Sequence, residues 1–215
     1  MKAADKNWNL NLSELLNDEA FLRTFEPENP ALFVRKPDGL GWDINAGALA
    51  VKAGLIRPDD SLGDLRAYIS PRVARALSIA PVAGAAALCL AAASLSRGRA
   101  LATGWDWHGR PRRFATGAKA TLPAALASLG AAALASRAKN QGADVAASGR
   151  ALGIQATAAL LLRAAATSKA GKSNPVVFAA LAAYPLVSTS ILVSVVRHGL
   201  NRVQQSLTKK EGTDQ

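Results

Sequence analysis

The chain has 215 residues, half of them hydrophobic but only 5% aromatic, with a formal charge of +11 and a single cysteine. One cysteine excludes a disulfide framework within the chain and any multi-thiolate metal cluster. The charge is uneven: residues 1–75 hold ten basic and eleven acidic side chains, whereas from Arg97 onward sixteen basic side chains meet four acidic ones.

The first 29 residues are polar, with Asp5, Glu14, Asp18 and Glu19 where a secretory signal would be apolar. A module over residues 1–70 is therefore expected on the cytoplasmic side. Ser13 suits the N-cap of a short helix with Leu15, Leu16, Phe21 and Leu22 on its apolar face, ended by Asn29-Pro30. Leu32-Phe33-Val34-Arg35, the turn Pro37-Asp38-Gly39 and residues 40–45 then predict a β-hairpin over 31–45. Alternation places Leu40, Trp42 and Ile44 on one face. Phe33 and Trp42 are expected in the module core and Asn45 at a turn or cap; the alternative has Trp42 and Asn45 facing a ligand. Residues 46–55 read as a helix, and Pro58-Asp59-Asp60-Ser61 opens another toward Tyr68. There the carboxylates of Asp59, Asp60 and Asp64 suit the positive end of a helix without any catalytic role.

Pro30-x-Leu32-Phe33-Val34-x-Lys36 followed by Gly39-x-Gly41-Trp42-x-x-Asn45 resembles a short bacterial domain family of unknown function that is usually attached to integral-membrane segments. The resemblance spans about residues 7–50, and residues 17–28 replace the aromatic-rich lead of the family pattern. It implies a small module beside a membrane and no particular activity.

From Ala76 to Val196, Ala/Leu/Val-rich runs alternate with basic loops. Four helices follow, at about 76–96, 121–136, 151–167 and 175–196, in a transmembrane domain over 71–200 with a polar tail at 201–215. The outer two approach the roughly 20 residues that cross about 30 Å of hydrocarbon. The middle pair are weaker: 121–136 is short, and 151–167 contains Arg163, which would cost roughly 2.5–3.5 kcal/mol at mid-bilayer. Arg163 lies four residues before Thr167, so snorkelling to the interface is one reading. A functional intramembrane charge is the other, although no acidic residue in the four segments could pair with it. Small residues at four-residue spacing, Gly84, Ala87, Ala91 and Ala131 among them, are expected helix-packing positions. Pro81 and Pro123 suggest helix starts and Pro185 a kink.

Basic loops beside apolar runs point to anionic lipids rather than nucleic acid, which would want aromatics interleaved with the charges. The loop from Arg97 to Lys119 carries the expected lipid and interface contacts: Arg97, Arg99, Trp105, Trp107, Arg110, Arg112 and Arg113. Both termini are expected inside, which leaves this basic loop outside. Trp105-Asp106-Trp107-His108 fits interfacial anchoring, or a carboxylate beside an imidazole acting as a proton shuttle. His108 and His198 show no metal-ligand spacing. Gly171-Lys172-Ser173 matches the end of a phosphate loop but lacks the upstream glycine and strand. Cys89, in an apolar run, reads as a buried inert thiol.

These features predict a mainly α protein: a four-helix integral membrane bundle behind a small cytoplasmic α+β module, in the bacterial inner membrane. No catalytic group, metal site or cofactor is expected. The expected role is a non-enzymatic accessory or scaffolding subunit, docking onto a larger complex or onto copies of itself. The alternative is a small transporter or channel whose polar path runs near Arg163, drawing on Gln155, Thr157, Ser188, Thr189 and Ser190.

Overall fold

The computed structural model describes residues 22–35, 41–98, 100–138 and 142–211. The expected helix from Ser13, the turn Pro37-Asp38-Gly39 and Arg99 lie outside the described residues. Among the described residues the chain is mainly helical, with two small antiparallel strand pairs and four helices long and apolar enough to cross a bilayer.

A 3-10 turn, Arg23–Phe25, leads to strand β1, Phe33–Arg35, which pairs with β2, Trp42–Ile44. The register is Phe33↔Ile44, Val34↔Asp43 and Arg35↔Trp42. Val34 and Asp43 therefore share the buried face, and Phe33 and Trp42 are about 60% exposed on the other. This corrects the expectation that Phe33 and Trp42 form the core. The physical reason is the turn before the hairpin: Arg23–Phe25 packs against both β1 and α1 (Ala46–Lys52), and Phe25, 3% exposed, supplies the core aromatic instead. Out in solvent, Arg35 lies over the Trp42 ring at 6.0 Å. A short helix, α2 (Leu62–Leu65), runs into a 3-10 turn at Arg66–Tyr68.

Helix α3, Pro71–Ser96, starts with Ser70 as N-cap, its Oγ accepting from the Val73 N–H, and Pro71 in the first turn. It takes in Arg72 and Arg75, both exposed, within its first turns. Helices α4 (Ala118–Arg137), α5 (Ala143–Thr167) and α6 (Val176–Glu211) follow. The shortest, α4, has 20 residues and so spans about 30 Å. Contrary to the N1 preference of proline, Pro81 and Pro123 start no helix: both, like Pro185, lie inside one. Ala- and Leu-rich sequence on both sides carries each helix through its proline at the loss of one backbone bond.

Between α3 and α4 the chain forms a second hairpin, β3 (Leu101–Trp105) with β4 (Pro111–Ala115), where the sequence suggested only a basic loop. Its turn is closed by Asp106, whose Oδ1 accepts the N–H groups of His108 and Arg110, and by Gly109 at φ +74°. An Asp followed three residues later by Gly is a turn signal. Charges, more than turn chemistry, dominate that stretch of the sequence.

The described chain divides into two compact units. One gathers the residues up to Ile69, Arg137–Ala146 and those from Leu192 on; the other comprises Ser70–Ser136 and Ala147–Ile191. In the first unit Leu62 and Leu65 are buried, and a Cβ on Gly142 or Gly199 would meet them at 2.9 and 3.4 Å. In the second unit α5 touches α3, α4 and α6, as described below, and it is the most enclosed helix. Of its most apolar stretch 56% is buried, against 22–33% for the other three.

Candidate functional site

Three places in the structure concentrate polar chemistry. The first is Asn45, fully buried at the N-terminus of α1. Its Oδ1 accepts the N–H groups of Gly47, Ala48 and Glu26, and its Nδ2 donates to the carbonyls of Glu26 and Asn29. With every hydrogen-bonding group engaged, Asn45 is a helix cap that also ties down the preceding loop; it offers nothing to a ligand. Gly47 supports it, because a Cβ there would sit 2.6 Å from the Pro27 backbone nitrogen.

The second is the middle of the four-helix unit. Leu88 and Ala92 of α3 pack with Ala158 and Leu162 of α5, with Ala124 and Ala125 of α4 against them. Beside this apolar cluster, Gln155 of α5 is buried and donates from Nε2 to the Pro81 carbonyl at 2.6 Å and, at 3.5 Å, to that of Ser128. Its Oε1 faces Gly84, where it would collide with a Cβ. That Oε1, Ser128 Oγ and Thr157 Oγ1 are enclosed without hydrogen-bond partners among the described residues. On the far side of α5, Gly153 lets the Tyr184 carbonyl of α6 approach to 2.9 Å of where a Cβ would be.

The third is the end of this unit, where the β3–β4 hairpin meets the α5–α6 connection. Asn174 caps α6 by accepting from the Val176 N–H, and the two hydrogens of its Nδ2 are shared among the Ala164 carbonyl, Thr167 Oγ1 and Ser168 Oγ at the end of α5. The Asn174 N–H donates to the Gly109 carbonyl, Ser173 Oγ donates to the His108 carbonyl, and Trp105 Nε1 donates to Ser168 Oγ. A cavity of about 240 Å³ opens in the 167–175 segment. On the hairpin, the Arg110 N–H holds the Asp106 carboxyl below the usual carboxylate range; desolvation opposes this, and the His108 N–H and the Arg112 charge add to it. Arg112 Nε lies 3.8 Å from Asp106 Oδ2. The carboxylate thus serves the turn and Arg112, while the His108 ring stands edge-on to Trp107.

The expected positions fall as follows. Arg97, Arg110, Arg112 and Arg113 are exposed at or beside this hairpin. Trp107, 85% exposed, sits in its turn, and Trp105 is half-buried. Ala131 is buried and Gly84 meets Gln155, but Ala87 and Ala91 are exposed. Within the chain, α3 packs through Pro81, Ala85, Leu88 and Ala92, one residue out of step with the small-residue series, which leaves Ala87 and Ala91 on a face open to another protein. Arg163 is exposed, one turn from the end of α5, with Thr167 Oγ1 donating to its carbonyl. Cys89 is a free, half-buried thiol. Among the described residues no three His, Cys, Asp or Glu side chains come together as metal ligands.

No protein-family model matches the chain, and comparisons with curated proteins and with solved structures find no match. Sequence reasoning missed Ser168 and Asn174, which organise the end of the bundle. The one signal for Asn174 was its place before Pro175, an Asn-Pro step at a helix start.

Proposed function

We propose that the chain is a four-span integral membrane protein of the bacterial inner membrane, with the N-terminal module and the C-terminal tail in the cytoplasm. The module, on its Phe-Val and Gly-Trp-x-x-Asn pattern, is of the membrane-associated type it resembles. The role is that of a non-enzymatic accessory or scaffolding subunit, which presents helix faces to a larger complex or to its own copies.

One observation carries the membrane reading: the buried positions are mostly alanine, while many large apolar side chains face outward. The four-helix unit buries Ala85, Ala92, Ala131, Ala132, Ala158, Ala164 and Ala180, while Ile79, Val82, Leu90, Leu126, Leu181 and Leu186 are exposed. In water, such large exposed side chains on long apolar helices would be a severe liability. In lipid they cost nothing, and close helix contact between small residues is what holds the bundle together.

Topology is read with Cys89→Ala as background and single cysteines placed at Trp107 and Asn201. A membrane-impermeant thiol reagent applied to intact spheroplasts should label the first and spare the second; release of the protein by alkaline carbonate would sink the membrane reading altogether. The accessory role is tested by the mass of the particle extracted in mild detergent. Stoichiometric foreign subunits support it, as does a discrete homo-oligomer for the self-assembling form, and a lone monomer counts against both.

The enclosed trio Gln155, Ser128 and Thr157 favours a second reading, in which polar groups in mid-bundle line a path for a small solute. Gln155→Leu that assembles normally but abolishes solute flux would favour transport.

A further inference from the structure

We propose that the cavity at the α5–α6 connection binds a phosphate group, supplied by the headgroup of an anionic phospholipid; the lipid source rests on the membrane-spanning reading above.

The charges that line the cavity set the sign of its ligand, and the hydrogen bonds around it show which groups are engaged. The hydroxyl hydrogens of Thr167 and Ser173 are spent on the carbonyls of Arg163 and His108. Asn174 is spent on the end of α5 and the cap of α6. Ser168 Oγ accepts from Trp105 Nε1 and lies 3.1 Å from Asn174 Nδ2, and its own hydrogen is free to give. Lys169 and Lys172 line the same cavity and add two ammonium groups. Against these donors stands no carboxylate from the same stretch: the sequence holds no Asp or Glu between Asp144 and Glu211. The one acidic residue of the adjoining hairpin, Asp106, already accepts two backbone N–H groups and faces Arg112. A cavity lined by two ammonium groups, with no carboxylate beside them to neutralise the charge, favours an anion.

Shape and surroundings narrow the anion. At about 240 Å³ the cavity is smaller than the 300–1,000 Å³ typical of sites for drug-sized ligands, and it suits a single phosphate better than a nucleotide. Gly171, at φ +74°, turns the chain so that Lys172 N–H bonds back to the Lys169 carbonyl, which brings both lysines to one opening. Gly171-Lys172-Ser173, the fragment of a phosphate-loop pattern, is thereby placed on a helix–helix connection with no strand before it. From Pro175 at the rim, α6 continues with Phe178 and Leu181 exposed, 46% and 70%, as a track for an acyl chain. Trp107 on the hairpin suits the same headgroup level. This continuity of cation site and apolar helix face argues for a lipid phosphate over a free one.

The test titrates the detergent-solubilised full chain by native mass spectrometry with phosphatidylglycerol, phosphatidylcholine and inorganic phosphate. The wild type is compared with Lys169→Gln/Lys172→Gln and with Arg202→Gln, an exposed charge elsewhere; circular dichroism checks that each is folded. The wild type and Arg202→Gln should retain one phosphatidylglycerol, and the double variant should bind it roughly tenfold to thirtyfold more weakly. Displacement of the lipid by millimolar phosphate in the wild type alone supports the phosphate site and makes free phosphate its ligand. Equal retention by the folded double variant overturns the proposal. Carbonate extraction separates the two levels. A chain that resists carbonate yet shows no lysine dependence loses the site and keeps the membrane. A chain that is released loses the lipid source, and phosphate binding through the two lysines then decides the site.

Discussion

The indole Nε1 of Trp105 donates a 3.0 Å hydrogen bond to Ser168 Oγ, joining strand β3 to the end of α5 across 63 positions of the chain. This contact and the bonds from Ser173 and Asn174 to the hairpin turn make the end of the bundle one hydrogen-bonded piece. Trp105→Phe keeps an aromatic side chain, of smaller volume, and removes the donor. It should cost about 1 kcal/mol of stability, the net worth of a typical hydrogen bond. Thermal unfolding in detergent reads the loss; a Tm equal to wild type would show that the bond holds nothing.

In the N-terminal module the two signature residues should behave oppositely. Trp42→Ala removes an exposed ring and should cost no more than about 1 kcal/mol, against roughly 3–5 for a core tryptophan. Asn45→Leu removes five hydrogen bonds and strands buried backbone groups, so it should destabilise by at least about 2–3 kcal/mol. Amide exchange of residues 42–50 ranks the two variants, and the reverse order would contradict the burial pattern.

Gly153 is a close approach between the backbones of α5 and α6. A Cβ there meets the Tyr184 carbonyl, a backbone atom that moves only with its helix, so Gly153→Ala should cost about 1–3 kcal/mol through overpacking. Gly130, with nothing within 4 Å of an added Cβ, is the control. Gly130→Ala should leave resistance to denaturing detergent unchanged or slightly raised.

Asp106 gives the β3–β4 turn a pH dependence of definite sign. Its folded pKa lies below the unfolded value, because the backbone N–H of Arg110 favours the carboxylate. Its contribution is therefore fully present above the ordinary carboxylate range and is lost as pH falls through the lowered folded value. Trp105 fluorescence should report loosening of the hairpin in acid. Asp106→Asn should flatten that profile, and an unchanged acid transition would place its origin elsewhere.

Arg163→Ala should leave assembly and stability within about 0.5 kcal/mol of wild type, as expected for an exposed side chain near a helix end. A collapse of the extracted particle would instead assign this charge a structural partner.

Composition by itself determined the large features: four apolar stretches, a basic second half and a strand–turn–strand pattern before them. These signals are local, since helix propensity, hydropathy and turn chemistry are written into neighbouring residues. Asn45 as a cap was legible for the same reason. What only the tertiary structure decided was direction and partnership. Which face of the first hairpin turns inward depends on Phe25, which takes the core place. Which stripe of α3 packs depends on where Gln155 enters beside Gly84, and an Ala-rich helix looks much the same from every side. The weak-looking segment holding Arg163 became the central helix because small residues let three neighbours approach it. The surroundings of Lys169 and Lys172 were likewise set by the tertiary structure, which brings Trp105, 63 positions before Ser168, onto the connection that Ser168 and Asn174 organise.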